Sequence, residues 1–156
     1  MNRKRLLIAC LSVGLIASFD HWTKTLILAN RAHLPLHLSS FFSLVFAQNR
    51  GVSFGFLKAG SPTQVFLLGI LASTISLFVL KWYLEARGPW LSLGLLLILG
   101  GAVGNLMDRF LWGAVIDFLD FHLYSYSFPT FNVADVCISC GVGVVFLTQL
   151  MEKSSK

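Results

Sequence analysis

Two aspartates carry the clearest chemical promise in this sequence. Asp117 sits within Val115-Ile116-Asp117-Phe118-Leu119, where apolar neighbours desolvate a carboxyl and raise its pKa. Asp135 follows Asn132 by three residues. Asparagine is a favoured helix cap, so the Asp135 carboxylate falls in a first helical turn, where backbone N–H groups and the helix dipole favour negative charge. The two environments push the acids apart, so that one can be protonated while the other is ionised. Such asymmetry suits a pair in which one member deprotonates a water while the other donates to a carbonyl oxygen. The same spacing equally fits a mere capping carboxylate at Asp135 and a surface group at Asp117, and at this point both readings stand.

A second polar set lies just upstream. Asn105 shares a helix face with Asp108 three residues on and with Arg109 four residues on, at the end of a long apolar run. These charges either snorkel to the interface or line a polar pocket. Gly100, Gly101 and Gly104 precede them and allow a neighbouring backbone to come close, as small residues do in membranes. Asp20 and Lys24, four apart, also share a face near the end of the first apolar run. They serve either as a structural ion pair or as a substrate contact.

Other chemistries find less support. His21, His33, His37 and His122 are scattered without ligand spacing, and no H-E-x-x-H motif occurs, so neither a metal nor any other cofactor is expected. No G-x-S-x-G marks a serine nucleophile. Cys137 and Cys140 have C-x-x-C spacing, fitting either a redox pair or small apolar packing.

The elements that must hold these groups are membrane helices. Of 156 residues 56% are apolar and 12% charged, and the mean hydropathy is +0.76, too apolar for a soluble domain of this size. Crossing a hydrocarbon core takes roughly 20 residues. Four runs qualify, giving spans at about 6–26, 62–81, 90–108 and 133–151 in a single domain over 1–156. The first resembles a signal peptide in its Arg3-Lys4-Arg5 start but lacks an A-x-A-like cleavage site, so an uncleaved helix is expected. Ser61-Pro62 makes a cap and first turn for the second, and Gly88-Pro89 breaks the chain before the third.

Four spans put both termini on one side. Seven Lys and Arg residues then fall there (Arg3, Lys4, Arg5, Lys81, Arg87, Lys153, Lys156) against five on the other, which favours a cytoplasmic N-terminus. Asp20, Asp108, Asp117, Asp120 and Asp135, together with all four histidines, lie at or beyond the opposite face. The acid–base chemistry is therefore expected outside. Of the two outer connections, at about 29–60 and 110–131, the first alternates partially over residues 34–49, which predicts interfacial strands able to cover a site. The second is rich in Phe, Tyr and Trp and is expected to hug the bilayer surface. The fold class is thus mostly α, integral membrane, with four transmembrane helices and a small β-rich extramembrane segment between the first two. The net charge of +5 sits at span ends rather than in a groove-like run, so no nucleic acid is expected, and no obligate protein partner is evident.

Taken in order, the motifs resemble those of the lipoprotein signal peptidases, the type II signal peptidases of bacteria. They are Asp20-x-x-x-Lys24; Asn49-Arg50-Gly51-Val52-Ser53-Phe54-Gly55; Gly100-Gly101-Ala102-Val103-Gly104-Asn105-Leu106-Met107-Asp108-Arg109; Gly113-Ala114-Val115-Ile116-Asp117-Phe118; and Phe131-Asn132-Val133-Ala134-Asp135. The resemblance covers nearly the whole chain. It implies an aspartic endopeptidase of the bacterial inner membrane with its active site on the periplasmic face. The substrate implied is a prolipoprotein carrying diacylglycerol on a cysteine, cut just before that cysteine among membrane lipids. Asp117 and Asp135 match the catalytic pair. Asn49, Asn105, Arg109 and Asn132 match positions that hold substrate and orient the pair, while Asp20, Lys24, Asp108, Gly101 and Gly104 match supporting ones. Ser53 stands where alanine is common, and Cys137/Cys140 belongs to no family motif.

Two other classes compete. A four-helix thiol oxidoreductase would rest on Cys137 and Cys140. A non-enzymatic lipid-binding or transport subunit would need polar groups at mid-bilayer, whereas the charges here gather at span ends.

Overall fold

The computed structural model describes residues 3–51, 61–124 and 126–154. Four helices are long and apolar enough to cross a membrane: α1 (Arg3–Ala29), α2 (Pro62–Glu85), α3 (Pro89–Trp112) and α4 (Val133–Ser154). Each runs past the apolar stretch that marks it, because the flanking polar residues keep the helical hydrogen bonds going at the water boundary. Their ends are chemically marked. Ser61 Oγ accepts the Gln64 N–H at 3.2 Å ahead of Pro62, and Gly88 at φ 88° turns the chain into Pro89. Gly113, at φ 67°, closes α3 with its N–H on the Arg109 carbonyl at 3.2 Å, a conformation that favours glycine.

The third helix is the axis of the bundle. Half of its apolar window is buried, against 17% for each of the others, and it packs on α1, α2 and α4. Glycines set the spacing. A Cβ on Gly141 would stand 2.6 Å from the Gly94 carbonyl oxygen, and one on Gly100 would overlap Ile16. Small residues thus bring α4 and α1 against α3 by backbone contact, as expected where lipid offers no hydrophobic drive between helices. At the far end, an apolar cluster of Ala9, Val79, Tyr83, Leu91 and Leu95 fills the bundle. There Arg5 donates to the Leu84 and Ala86 carbonyls at 3.3 and 2.6 Å, fastening the start of α1 to the α2–α3 turn.

Strands form where the first connection predicted them, and more besides. β1 (Leu36–His37) and β2 (Phe42–Asn49) come from the first connection, β3 (Val115–Leu123) and β4 (Tyr126–Ser127) from the second. They make one antiparallel sheet in the order β1-β2-β3-β4. The sheet therefore joins both connections, where the sequence pointed to strands in the first alone. β3 escaped notice because its first four residues are all buried, so the alternation that betrays a half-exposed strand is missing. The expected cover extends to residue 60, and its portion 52–60, with Ser53 of the third motif, lies outside the described residues.

Candidate active site

Strand register delivers the first groups. Ala47 pairs with Asp117 and Asn49 with Val115, so Asn49 is a diagonal neighbour of Asp117 across the β2–β3 ladder. Its Nδ2 reaches Asp117 Oδ2 at 3.0 Å, while its Oδ1 takes the Gly51 N–H at 3.1 Å, which fixes the amide orientation. Phe131 bridges to Leu119, exchanging N–H···O bonds of 2.8 and 3.1 Å. That clasp lands the next residue, Asn132, beside Asp117 just as α4 begins.

Asn132 is the hub. Its backbone N–H donates to Asp135 Oδ2 at 3.3 Å and its Oδ1 accepts the Asp135 N–H at 3.0 Å, a reciprocal capping box with aspartate in the third helical position. Its Nδ2 donates to Asp117 Oδ1 at 2.6 Å and to Asn105 Oδ1 at 3.1 Å. One fully buried carboxamide therefore links the two candidate acids. Asn105 makes a second link, giving Nδ2 to Asp135 Oδ1 at 2.7 Å.

Beneath this layer lies a buried ionic cluster. Lys24 Nζ donates to Asp20 Oδ2 at 2.6 Å, to Asp108 Oδ2 at 2.7 Å and to Asn105 Oδ1 at 3.1 Å, using all three of its protons. All three charged residues have no exposed surface, so Asp20–Lys24 is an ion pair buried within the bundle. Asp20 Oδ1 takes the Ala134 N–H at 2.8 Å, and Asp108 Oδ2 takes the Ile116 N–H at 3.1 Å. The cluster thereby ties α1 and α3 to the start of α4 and to β3. Gly104 makes room for it, since a Cβ there would stand 2.7 Å from Asp20 Oδ2, and one on Gly101 would run into the Ala134 carbonyl oxygen.

Asp108 and Arg109, adjacent in sequence, do not form a snorkelling pair. Asp108 turns inward to Lys24, whereas Arg109 donates to the Asn105 carbonyl at 3.0 Å and lines a hollow of ≈ 580 Å³ between α2 and α3. Arg50 lines the same hollow, a placement its position in the sequence did not signal. The backbone donors of Ile116 and Ala134 were equally hidden, since no side-chain pattern marks them. Asp120 stands apart from the cluster, held by His122 at 3.1 Å and Ser127 at 3.0 Å.

Burial pushes the Asp117 carboxyl up to about 6; the Asn49 bond pulls it down, the Asp135 charge raises it, and Asn132 and Lys24 lower it. Desolvation wins. An acid that changes protonation near neutrality, tied through one asparagine residue to a second acid at a helix start, is suited to moving protons on and off a reacting water.

Fold and site together define a helical membrane protein with an asparagine-braced pair of carboxylates at one end of its bundle. Known proteins agree. Residues 12–151 match the signal peptidase (SPase) II family. The "Lipoprotein signal peptidase" of Burkholderia vietnamiensis is 44% identical over 140 residues, covering 87% of this chain and 83% of that protein, and that of Burkholderia cenocepacia is 43% identical over the same span. A solved structure titled as a bacterial membrane enzyme superposes with a TM-score of 0.78 at 26% identity, covering 96% of this chain and 91% of that one. The chain belongs to the signal peptidase II family, the aspartic peptidases of bacterial membranes. Cys137 and Cys140 are free thiols on α4, and family membership favours peptide cleavage over thiol redox chemistry or lipid carriage.

Proposed function

We propose that Asp117 and Asp135 are the acids with which this signal peptidase II cuts prolipoproteins, just before a cysteine that carries diacylglycerol. The observation that carries the reading is the double link through Asn132, which binds Asp117 by its Nδ2 and Asp135 by its Oδ1 and backbone N–H. Asp135, both of whose oxygens accept N–H donors at the start of α4, is the member suited to take a proton from water. Asp117, poised near neutrality, gives its proton to the scissile carbonyl oxygen as the water oxygen attacks the carbon. On collapse, Asp117 recovers a proton from the gem-diol, and Asp135 passes the water's proton to the departing amine. Protons balance and both acids return to their starting states.

Asn49, Asn105 and Asn132 hold the pair, each presenting an NH₂ to a carboxylate, and Arg109 at the hollow meets the substrate. A lipid-anchored substrate cannot leave the bilayer, so the acids have to wait where apolar helices end. We assign that end to the periplasmic face of the inner membrane, with both termini cytoplasmic. Supporting this, Arg5 lies against the α2–α3 turn, so Arg3, Lys4, Lys81 and Arg87 gather at the opposite end of the bundle from Asp117. Replacing Asp117 or Asp135 with Asn abolishes cleavage of a diacylglyceryl prolipoprotein in purified, folded enzyme; full activity in either variant ends this reading.

A further inference from the structure

Phenylalanine rings form a row across the sheet, outward of the acids. Phe42 of β2 and Phe121 of β3 stand directly opposite one another and stack with their centroids 4.6 Å apart. Phe121 stacks in turn on Phe131 at 5.8 Å, the two planes within 12° of parallel. The row is not part of the apolar core. That core is made by Ile27, Ile116 and Phe118, and strand alternation turns Ile116 and Phe118 away from the face that carries Phe121. Phe121 is itself 39% exposed, so burial alone does not account for its place.

The row joins the three segments that meet at Asp117. Phe131 immediately precedes Asn132, whose NH₂ reaches Asp117 at 2.6 Å. Phe42 begins β2, whose last residue, Asn49, reaches the same carboxylate at 3.0 Å. Phe121 lies on the Asp117 face of β3, four residues further along the strand. A closed loop results, running from Asp117 along β3 to Phe121, across to Phe131, and through Asn132 back to Asp117.

Backbone pairing by itself holds this loop loosely. Between Leu44 and Ala47 β2 carries an extra residue against β3, so the pairing of Ala47 with Asp117 is not continuous with that of Leu44 with Leu119. The segment before α4 meets β3 at the isolated bridge from Leu119 to Phe131. Stacked rings prefer a fixed offset and separation, and here they pin both weak points at once.

We infer that Phe121, the middle ring, is a positioning residue for the cleavage reaction, which by stacking on Phe42 and Phe131 keeps Asn49 and Asn132 within hydrogen-bond reach of Asp117. About 13 Å along the strand from Asp117, it acts through the two asparagines rather than on the reacting atoms. The inference rests on the assignment of Asp117 and Asp135 as the reacting acids.

The test measures kcat, KM and the pH profile of wild type, Phe121→Leu and Phe121→Tyr on a diacylglyceryl prolipoprotein. Leucine keeps an apolar side chain but no ring, whereas tyrosine keeps the ring. In Phe121→Leu kcat is expected to fall about tenfold with KM unchanged. The Asn49 and Asn132 bonds favour the charged form of Asp117, so loosening them raises its pKa and moves the declining limb of the profile to higher pH. Phe121→Tyr restores both. Phe42→Leu removes the first stack and leaves the second; it is expected to move the limb the same way, and it decides the matter should Phe121→Leu not fold. The inference is overturned by wild-type values in the leucine variants, by a loss carried in KM, by a fall in kcat with the limb in place, or by failure of tyrosine to restore it. Tyr124→Leu changes a ring outside the row that is 96% exposed, and is expected to leave every value as in wild type; an equal loss there also overturns the inference. Asp117→Asn is assayed in parallel. Retained cleavage in that variant ends the reading of the acids, whereas wild-type leucine variants beside an inactive Asp117→Asn end only the inference about the rings.

Discussion

Asn132 donates its side-chain NH₂ to Asp117 at 2.6 Å while its side-chain oxygen caps α4 at the Asp135 N–H. One residue thus does two jobs with two ends of one amide, and substitution separates them. Asn132→Ser retains a favoured cap oxygen but removes the amide donor to Asp117, so cleavage falls about 10²-fold or more while α4 still forms. Asn132→Ala loses the cap as well and is less stable than Asn132→Ser by about 1 kcal/mol. Single-turnover cleavage together with thermal unfolding in detergent measures both; unimpaired cleavage by Asn132→Ser removes the amide from the mechanism.

The pH profile follows from Asp117, pushed up to about 6 chiefly by burial. In the proposed mechanism Asp117 must begin protonated, so kcat/KM declines as pH rises through that region, with a value belonging to the coupled pair. The Asn49 bond stabilises the charged form and so lowers this pKa. Removing it raises the pKa, and the declining limb of Asn49→Ala moves to higher pH. A hydrogen bond to a charged group is worth about 1.5 kcal/mol, so the displacement is roughly one pH unit or less. A limb that stays in place, or moves to lower pH, contradicts the assignment of Asp117 as the acid.

What the sequence disclosed and what it withheld divide along physical lines. The helices were legible because crossing lipid demands a long uncharged run, and α1 to α4 each contain one. The raised Asp117 carboxyl was legible in its neighbours, since Val115, Ile116 and Phe118 are buried around it. The Asn132–Asp135 cap was legible because both partners belong to one turn. Contacts between elements were not. Asp20–Lys24 was readable as an i,i+4 pair, but the further reach of Lys24 to Asp108 and Asn105 depends on how α1 sits against α3, which no periodicity encodes. Strand β3 stayed hidden because burial on both faces erases alternation, and with it went the cross-strand placement of Asn49.

The buried lysine makes a stability prediction. Lys24→Met would leave Asp20 and Asp108, both without exposed surface, unpaired in the bundle. Breaking a buried ion pair by removing one partner costs about 3–5 kcal/mol. Adding Asp108→Asn keeps an oxygen for the Ile116 N–H while discarding one stranded charge, so the double variant recovers a substantial part of that loss. Chemical unfolding in micelles checks this. Additive losses in the double variant mean that the two side chains do not act as a unit.

Two glycine-to-alanine changes test the close approach of α1 to α3. At Gly104 a Cβ would stand 2.7 Å from Asp20 Oδ2, an oxygen held to Lys24 and with no freedom to retreat. Gly104→Ala therefore forces α1 away, costing about 1–3 kcal/mol by overpacking and loosening the support that Lys24 gives Asn105. Gly14, on α1 itself, has nothing within 4 Å of its Cβ position among the described residues. Gly14→Ala meets no obstacle and gains helix propensity, so its stability rises by up to about 1 kcal/mol. Thermal unfolding of the pair separates a contact that matters from the general effect of glycine in a helix. Cleavage falls in Gly104→Ala and is maintained in Gly14→Ala; equal behaviour of the two would mean that α1 does not need to come so near to hold Asp20 in the cluster.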